Sequence, residues 1–157
     1  EGFLVRLPNR HMQVSRLEPD HVSHIFQAIA AMATALFSLV PAAAGESLAT
    51  RARELGHPGE RIRELAFHQA LISYIDNRYL EKIYQQFLDG YIGYVILYLK
   101  EDNQESAQIL SSLMDAIQQG DRAEIAQETQ RYFLSLAEIM RQHMKDWESA
   151  EASIREN

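Results

Sequence analysis

The sequence predicts an all-α protein built as an antiparallel bundle of about six helices. Three observations predict it. From Glu18 onward apolar residues recur at helical spacing almost without interruption; proline, glycine or a capping side chain marks the ends of the runs; and no convincing pair of strands competes with them. With 157 residues, of which 46% are hydrophobic, the chain has enough apolar surface to close one core.

Residues 1–18 stand apart. Phe3-Leu4-Val5 is β-prone, and Pro8-Asn9 opens a polar run that reads as a linker, so this segment is expected to be the tail of another unit. The first helix is predicted from about Pro19 to Val40. Pro19 suits a first helical position, Val22, Ile25, Phe26, Ile29, Met32, Ala33, Leu36 and Phe37 make its apolar face, and Pro41 stops it. A shorter helix is expected from about Glu46 to Leu55, ended by Gly56, with Pro58 opening a third from about Gly59 to Ile75.

Asp76-Asn77 offers a cap for a fourth helix carrying Tyr79, Leu80, Ile83, Tyr84, Phe87, Tyr91, Ile92 and Val95. Apolar on most sides, it is expected to be central. Asp102 with Glu105 and Asp121 with Glu124 have capping-box spacing and start the last two helices, joined tightly at Gly120-Asp121. The last helix places Ile125, Thr129, Tyr132, Phe133, Leu136, Ile139, Met140, His143 and Trp147 on one broad stripe. No internal repeat and no second domain is read beyond this bundle.

Composition narrows the function. Fifteen basic against 22 acidic residues give a net charge of −7, with no basic stripe, so a duplex backbone would repel this segment. The longest apolar stretch, Ala28 to Ala44, is interrupted by Thr34, Ser38 and Pro41 and is too short for a membrane span, and the N-terminus does not read as a signal peptide. The absence of cysteine rules out disulfides and thiolate metal sites and agrees with a cytoplasmic setting. There is no G-x-S-x-G elbow, phosphate loop, H-E-x-x-H or cysteine nucleophile, so no enzyme is expected. Asp20 and Glu18 sit at a helix start, where they serve the macrodipole.

Two features carry chemistry. Glu64 and His68, four residues apart, leave one face of the third helix about a turn apart. The simplest reading is a partly buried histidine oriented by Glu64; as a metal half-site the pair would need two more ligands. The other histidines do not supply them: His11 lies in the linker, His21 and His24 in the first turns of helix one, His57 in a turn, and His143 too far along the last helix. Tyrosine is the second feature. Of Tyr79, Tyr84, Tyr91, Tyr94, Tyr98 and Tyr132, most are expected in the core, and Tyr91 and Tyr132 are assigned to a pocket because they lie on apolar stripes of long helices. Gly90 and Gly93 flank Tyr91 at a helix-propensity cost of about 1 kcal/mol each, which close packing or room for a ligand would explain.

The run Glu64-Leu65-Ala66-Phe67-His68-Gln69-Ala70-Leu71, followed by Asn77-Arg78-Tyr79-Leu80, resembles the D-x-x-F-H-x-x-L…N-x-x-L signature of FadR-like C-terminal (FCD-type) domains in GntR-family transcription regulators. Ala116-Ile117-Gln118-Gln119-Gly120-Asp121, then Ala126, resembles that family's A-I-x-x-G-D…A turn between its last two helices, and Gly2-Phe3-Leu4-Val5 resembles the end of a winged-helix wing. The resemblance implies a wing end and linker over residues 1–18 and an effector-binding, dimerisation domain over 19–157. It implies a homodimer that reaches DNA only through a winged-helix domain preceding this segment. It also implies a small organic effector, hydrophobic or carboxylate, bound within the bundle.

Family members often hold a metal with one Asp and three His. Here Glu64 stands at the Asp position and His68 at the first His, but Leu110 and Tyr132 stand at the other two, and Ile29 falls near an expected arginine. No cofactor is therefore called for, and the effector pocket is expected to be more apolar, formed by Glu64, His68, Tyr91 and Tyr132. The competing readings are a dimerisation module without ligand and a metal-dependent helical-bundle enzyme using Glu64 and His68.

Overall fold

A computed structural model describes residues 4–6, 12–14, 18–54, 61–101 and 104–155. Two short strands, β1 (Leu4–Arg6) and β2 (Met12–Val14), pair antiparallel with Leu4 opposite Val14 and Arg6 opposite Met12. This ladder corrects the expectation that no strand pair forms: three-residue strands are too short to show a period in sequence. The helices are α1 (Pro19–Phe37), α2 (Ala42–Glu54), α3 (Arg61–Ile72), α4 (Arg78–Phe87), α5 (Gln104–Gln119) and α6 (Arg122–Arg155). Among the described residues the all-α bundle thus has six α-helices, as expected.

Local chemistry sets most boundaries. Pro19 opens α1, and the Asn77 side chain accepts from the backbone N–H groups of Tyr79 and Leu80 to cap α4. Asp121 does the same for α6 through Ala123 and Glu124. Gly120, at φ 73°, closes α5 in the left-handed conformation that only glycine adopts without strain, its N–H returning to Ala116 O. Helix α2 begins at Ala42, a turn earlier than expected, directly after Pro41. The Asp102 cap and the Gly56–Pro58 signals lie outside the described residues.

Beyond α4 the helix does not stop. It continues through two π-helical stretches, Leu88–Ile92 and Val95–Leu99, to a C-cap at Lys100. This helix is peripheral rather than central. It buries Tyr84, Leu88, Ile92, Val95 and Ile96 but exposes Tyr79, Ile83, Tyr94, Leu97 and Tyr98 on its solvent side. The core runs mainly between α1 and α6, where Phe26, Ile29, Ala33, Leu36 and Phe37 face Ile125, Tyr132, Phe133, Leu136 and Met140. The last part of the α6 stripe does not follow it inside, since His143 and Trp147 are exposed.

Backbones approach closely where α2 meets α5. A Cβ on Gly45 would lie 2.6 Å from Gln118 Cα and 3.1 Å from Ile117 O, both backbone atoms that cannot rotate away. Gly45→Ala is therefore expected to destabilise the fold by about 1–3 kcal/mol, read as a lower denaturation midpoint. An unchanged midpoint would show that these helices can part without cost.

Candidate functional site

Five polar side chains meet inside this apolar bundle. Glu64 and His68 project from one face of α3, as their spacing requires; Tyr84 comes from α4, Lys100 from the end of the second π stretch, and Tyr132 from α6. All are buried, with exposures between 0% for His68 and Tyr84 and 4% for Lys100. Burial at this depth is tolerated only if every polar group finds a partner.

They find each other in sequence. His68 Nδ1 lies 2.7 Å from the Tyr84 hydroxyl and His68 Nε2 lies 2.8 Å from the Tyr132 hydroxyl. Tyr132 donates its own proton to Glu64 Oε1, and the Lys100 ammonium donates to Glu64 Oε2 in a buried ion pair. Because Tyr132 has one proton and spends it on Glu64, its oxygen must accept from His68, so His68 carries its proton on Nε2. Nδ1 is then the acceptor for the Tyr84 O–H. The result is one directed chain, from Tyr84 through His68 and Tyr132 to Glu64, ending on the Lys100 cation.

The surroundings keep this chain neutral at the ring. Burial, reinforced by the nearby Lys100 charge, pulls the His68 pKa from 6.5 to about 3, so the imidazole is uncharged near neutrality. Burial pushes the Tyr84 hydroxyl well above its usual pKa. It does the same to Tyr132, helped by the Glu64 charge and the hydrogen bond to it. Both tyrosines therefore act as proton-bearing links. Aromatic rings wall the site: Tyr132 and Phe133 meet edge to face at 5.0 Å, and Phe37 stands edge-on to Tyr84 at 5.9 Å.

The helix carrying Tyr84 and Lys100 explains how a lysine reaches the core. Its inward residues Tyr84, Leu88, Ile92, Ile96 and Lys100 are spaced four apart each time. In a straight α-helix each four-residue step drifts by about 40°, which would leave Lys100 about 160° from Tyr84. The π stretches take up the extra residues and cancel that drift. Gly93 is part of this geometry, since a Cβ there would lie 2.4 Å from Leu88 O. That contact is the physical reason for a glycine that propensity alone would disfavour.

Of the residues singled out from the sequence, Glu64, His68 and Tyr132 come together. Tyr91 does not join them: it is half-buried on the first π stretch, packs against the edge of the core, and has its pKa raised by burial. Leu110 and Ile29 are buried core residues. His143 lines a surface cleft of about 850 Å³ between Leu65, Gln69, Gly90, Met140 and Met144, outside the cluster. Tyr84 and Lys100 are the members that sequence reasoning missed; the four-residue repeat ending on Lys100 was their one signal.

The cluster does not fit a divalent metal. An ion would need lone pairs from imidazole and carboxylate, yet both His68 nitrogens are engaged by hydroxyls and both Glu64 oxygens by Tyr132 and Lys100. Among the described residues no group of three His, Asp or Glu converges. The adjacent ammonium would repel a second cation.

Fold and centre together define an all-α bundle whose polar chemistry is sealed inside it. Residues 14–146 match the FCD domain family, and the chain belongs to that family, the C-terminal effector-binding domain of GntR-family regulators such as FadR. No curated protein matches the chain, and no solved structure matches it. FCD domains bind small-molecule effectors, and sometimes metal ions, in a family of transcription regulators that are generally not enzymes. Among the described residues no helix is long and apolar enough to cross a membrane.

Two outcomes test the cluster. Lys100→Met should cost about 3–5 kcal/mol by leaving the Glu64 charge buried alone, and adding Glu64→Gln should recover much of that loss; additive losses in denaturant titrations would mean that the pair is not coupled. The second concerns pH. His68 has a lower pKa folded than unfolded, so its contribution is complete above pH 6.5 and is lost as pH falls toward about 3. Between pH 6.5 and 5, before most carboxylates titrate, stability should fall by up to about 1.4 kcal/mol per pH unit. His68→Gln should flatten that slope, and an equal slope in both proteins would mean His68 is charged when folded.

Proposed function

We propose that this chain is the ligand-sensing and dimerisation domain of a bacterial GntR-family regulator, and that it takes a small organic effector carrying a carboxylate into the bundle beside Lys100 and Tyr132. The observation that carries this reading is the directed polar chain in an otherwise apolar core, because such a chain adds little stability over well-packed apolar residues yet presents oriented polar groups to a ligand. A second observation points the same way. Thr129, one turn before Tyr132 on α6 and 0% exposed, has a hydroxyl with no hydrogen-bond partner among the described residues. Lys100 has three donor protons, and Glu64 is its only side-chain hydrogen-bond partner among the described residues. An effector carboxylate would satisfy both Thr129 and the ammonium, while the aromatic wall would take an apolar body.

Residues 1–18 are read as the end of a DNA-binding wing and a linker, and 19–157 as the sensing domain; the β1–β2 ladder supports the first assignment. DNA would then be reached only through that preceding domain, in the cytoplasm. Homodimerisation is supported by Tyr79, Ile83, Tyr94, Leu97 and Tyr98, which expose apolar surface along one helix.

Native mass spectrometry of the purified protein, paired with a thermal-shift screen of organic acids, tests this reading. A dimer with retained organic mass, and an acid that raises the denaturation midpoint, are expected. His68→Ala should abolish that shift, and Thr129→Val should weaken binding by a factor of about 2–10 through the lost hydrogen bond. Bare monomers that respond to no acid would sink the proposal.

A further inference from the structure

We propose that Lys100 is a built-in cation that stands in for a divalent metal at this centre, so that the domain assembles its polar core without any metal ion. The bonding within the cluster carries it, whatever the identity of an effector.

A metal in such a bundle has two jobs: it neutralises a buried carboxylate, and it fixes the orientation of an imidazole. Lys100 does the first directly, through its ion pair with Glu64 Oε2. It does the second at one remove. With Oε2 held by the ammonium, Oε1 is left to accept the Tyr132 proton, and Tyr132 must then accept from His68 Nε2. The ring is fixed from its other side by Tyr84. Every contact that would otherwise fall to a metal is thus made by a side chain of the protein, and Nε2, the ring nitrogen on the Glu64 side, carries a proton where a ligand would need a lone pair.

The backbone is built for this. Lys100 is the C-cap of the second π stretch, with its N–H bonded to Val95 O at 2.8 Å and its backbone extended. The ammonium is therefore delivered from a helix C-terminus, where the macrodipole favours a positive charge. Two π stretches in succession keep position 100 on the inward face. A lysine merely tolerated in the core would not need such a register.

The test uses the 157-residue protein. Elemental analysis by mass spectrometry should find well below one equivalent of transition metal per chain after purification without chelator, and the denaturation midpoint should be the same with EDTA, Zn²⁺, Ni²⁺ or Mn²⁺ added. Two-bond ¹H–¹⁵N correlation of the histidine rings should show His68 as the neutral, Nε2-protonated tautomer. Lys100→His, which replaces the ammonium with a potential ligand beside Glu64 and His68, should gain a Zn²⁺-dependent rise in midpoint that the parent lacks. One equivalent of metal in the parent, a midpoint lowered by EDTA, or a His68 ring whose Nε2 is unprotonated would overturn the proposal. If Lys100→His fails to fold, the three measurements on the parent still decide it.

Discussion

The buried contact between Glu64 and Lys100 is the constraint from which the rest of the centre follows. Two charges taken out of water each cost several kcal/mol, and their attraction repays that only when the remaining lone pairs and protons are used as well. Glu64 has a second oxygen to satisfy, which calls for Tyr132; Tyr132 then has an oxygen that must accept, which calls for a protonated His68 Nε2; His68 then presents a bare Nδ1, which calls for Tyr84. Each residue is the answer to the valence left over by the one before it. Chain direction, histidine tautomer and the neutrality of the ring are consequences of that order rather than separate features.

Bringing these residues together requires three helices to agree in register. Helix α3 gives Glu64 and His68 by ordinary four-residue spacing, and α6 gives Tyr132 on a stripe shared with Thr129 and Phe133. The fourth helix gives Tyr84 at one end and Lys100 at the other, and it does so only because π turns hold a four-residue repeat in phase. Gly93 and the close Gly45 contact show how tightly the backbones are committed. A centre placed this way is fixed by several backbones at once, so a change in the register of one helix would displace its polar groups.

Much of the fold could be read from the residues, because helix periodicity, the Asn77 and Asp121 caps and the Gly120 turn are local signals that the tertiary structure leaves in place. Three of the five residues of the centre were legible for a similar reason: Glu64 and His68 are neighbours on one helix, and Tyr132 lies on an evident apolar stripe. Lys100 was not, since a lysine at a helix end reads as a solvated surface residue, and a 3.6-residue template cannot see that π turns have rotated it inward. Tyr91 was favoured over Tyr84 by the same template, which treats the helix as regular through Gly90 and Gly93. The stripe on α6 extended too far, to His143 and Trp147, because a long helix keeps its period after it has left the core.

A buried ion pair is weak support for stability, since well-packed apolar residues of similar volume often do as well or better. The centre is therefore better understood by what it does to alternatives. A second cation is repelled by Lys100, and a purely apolar molecule would strand the polar chain unless it left that chain intact. An acceptor-bearing molecule would meet donors on Lys100 and Thr129 that the described residues do not fully use. On the sensing role proposed above, binding would draw on both α6 and the end of the π helix, two elements already linked through Glu64 and through the Lys100 ammonium over the Tyr132 ring. An effector that pulls on both shifts the relative position of helices rather than of one loop, and a shift of packed helices is the kind of change that a tethered domain can register.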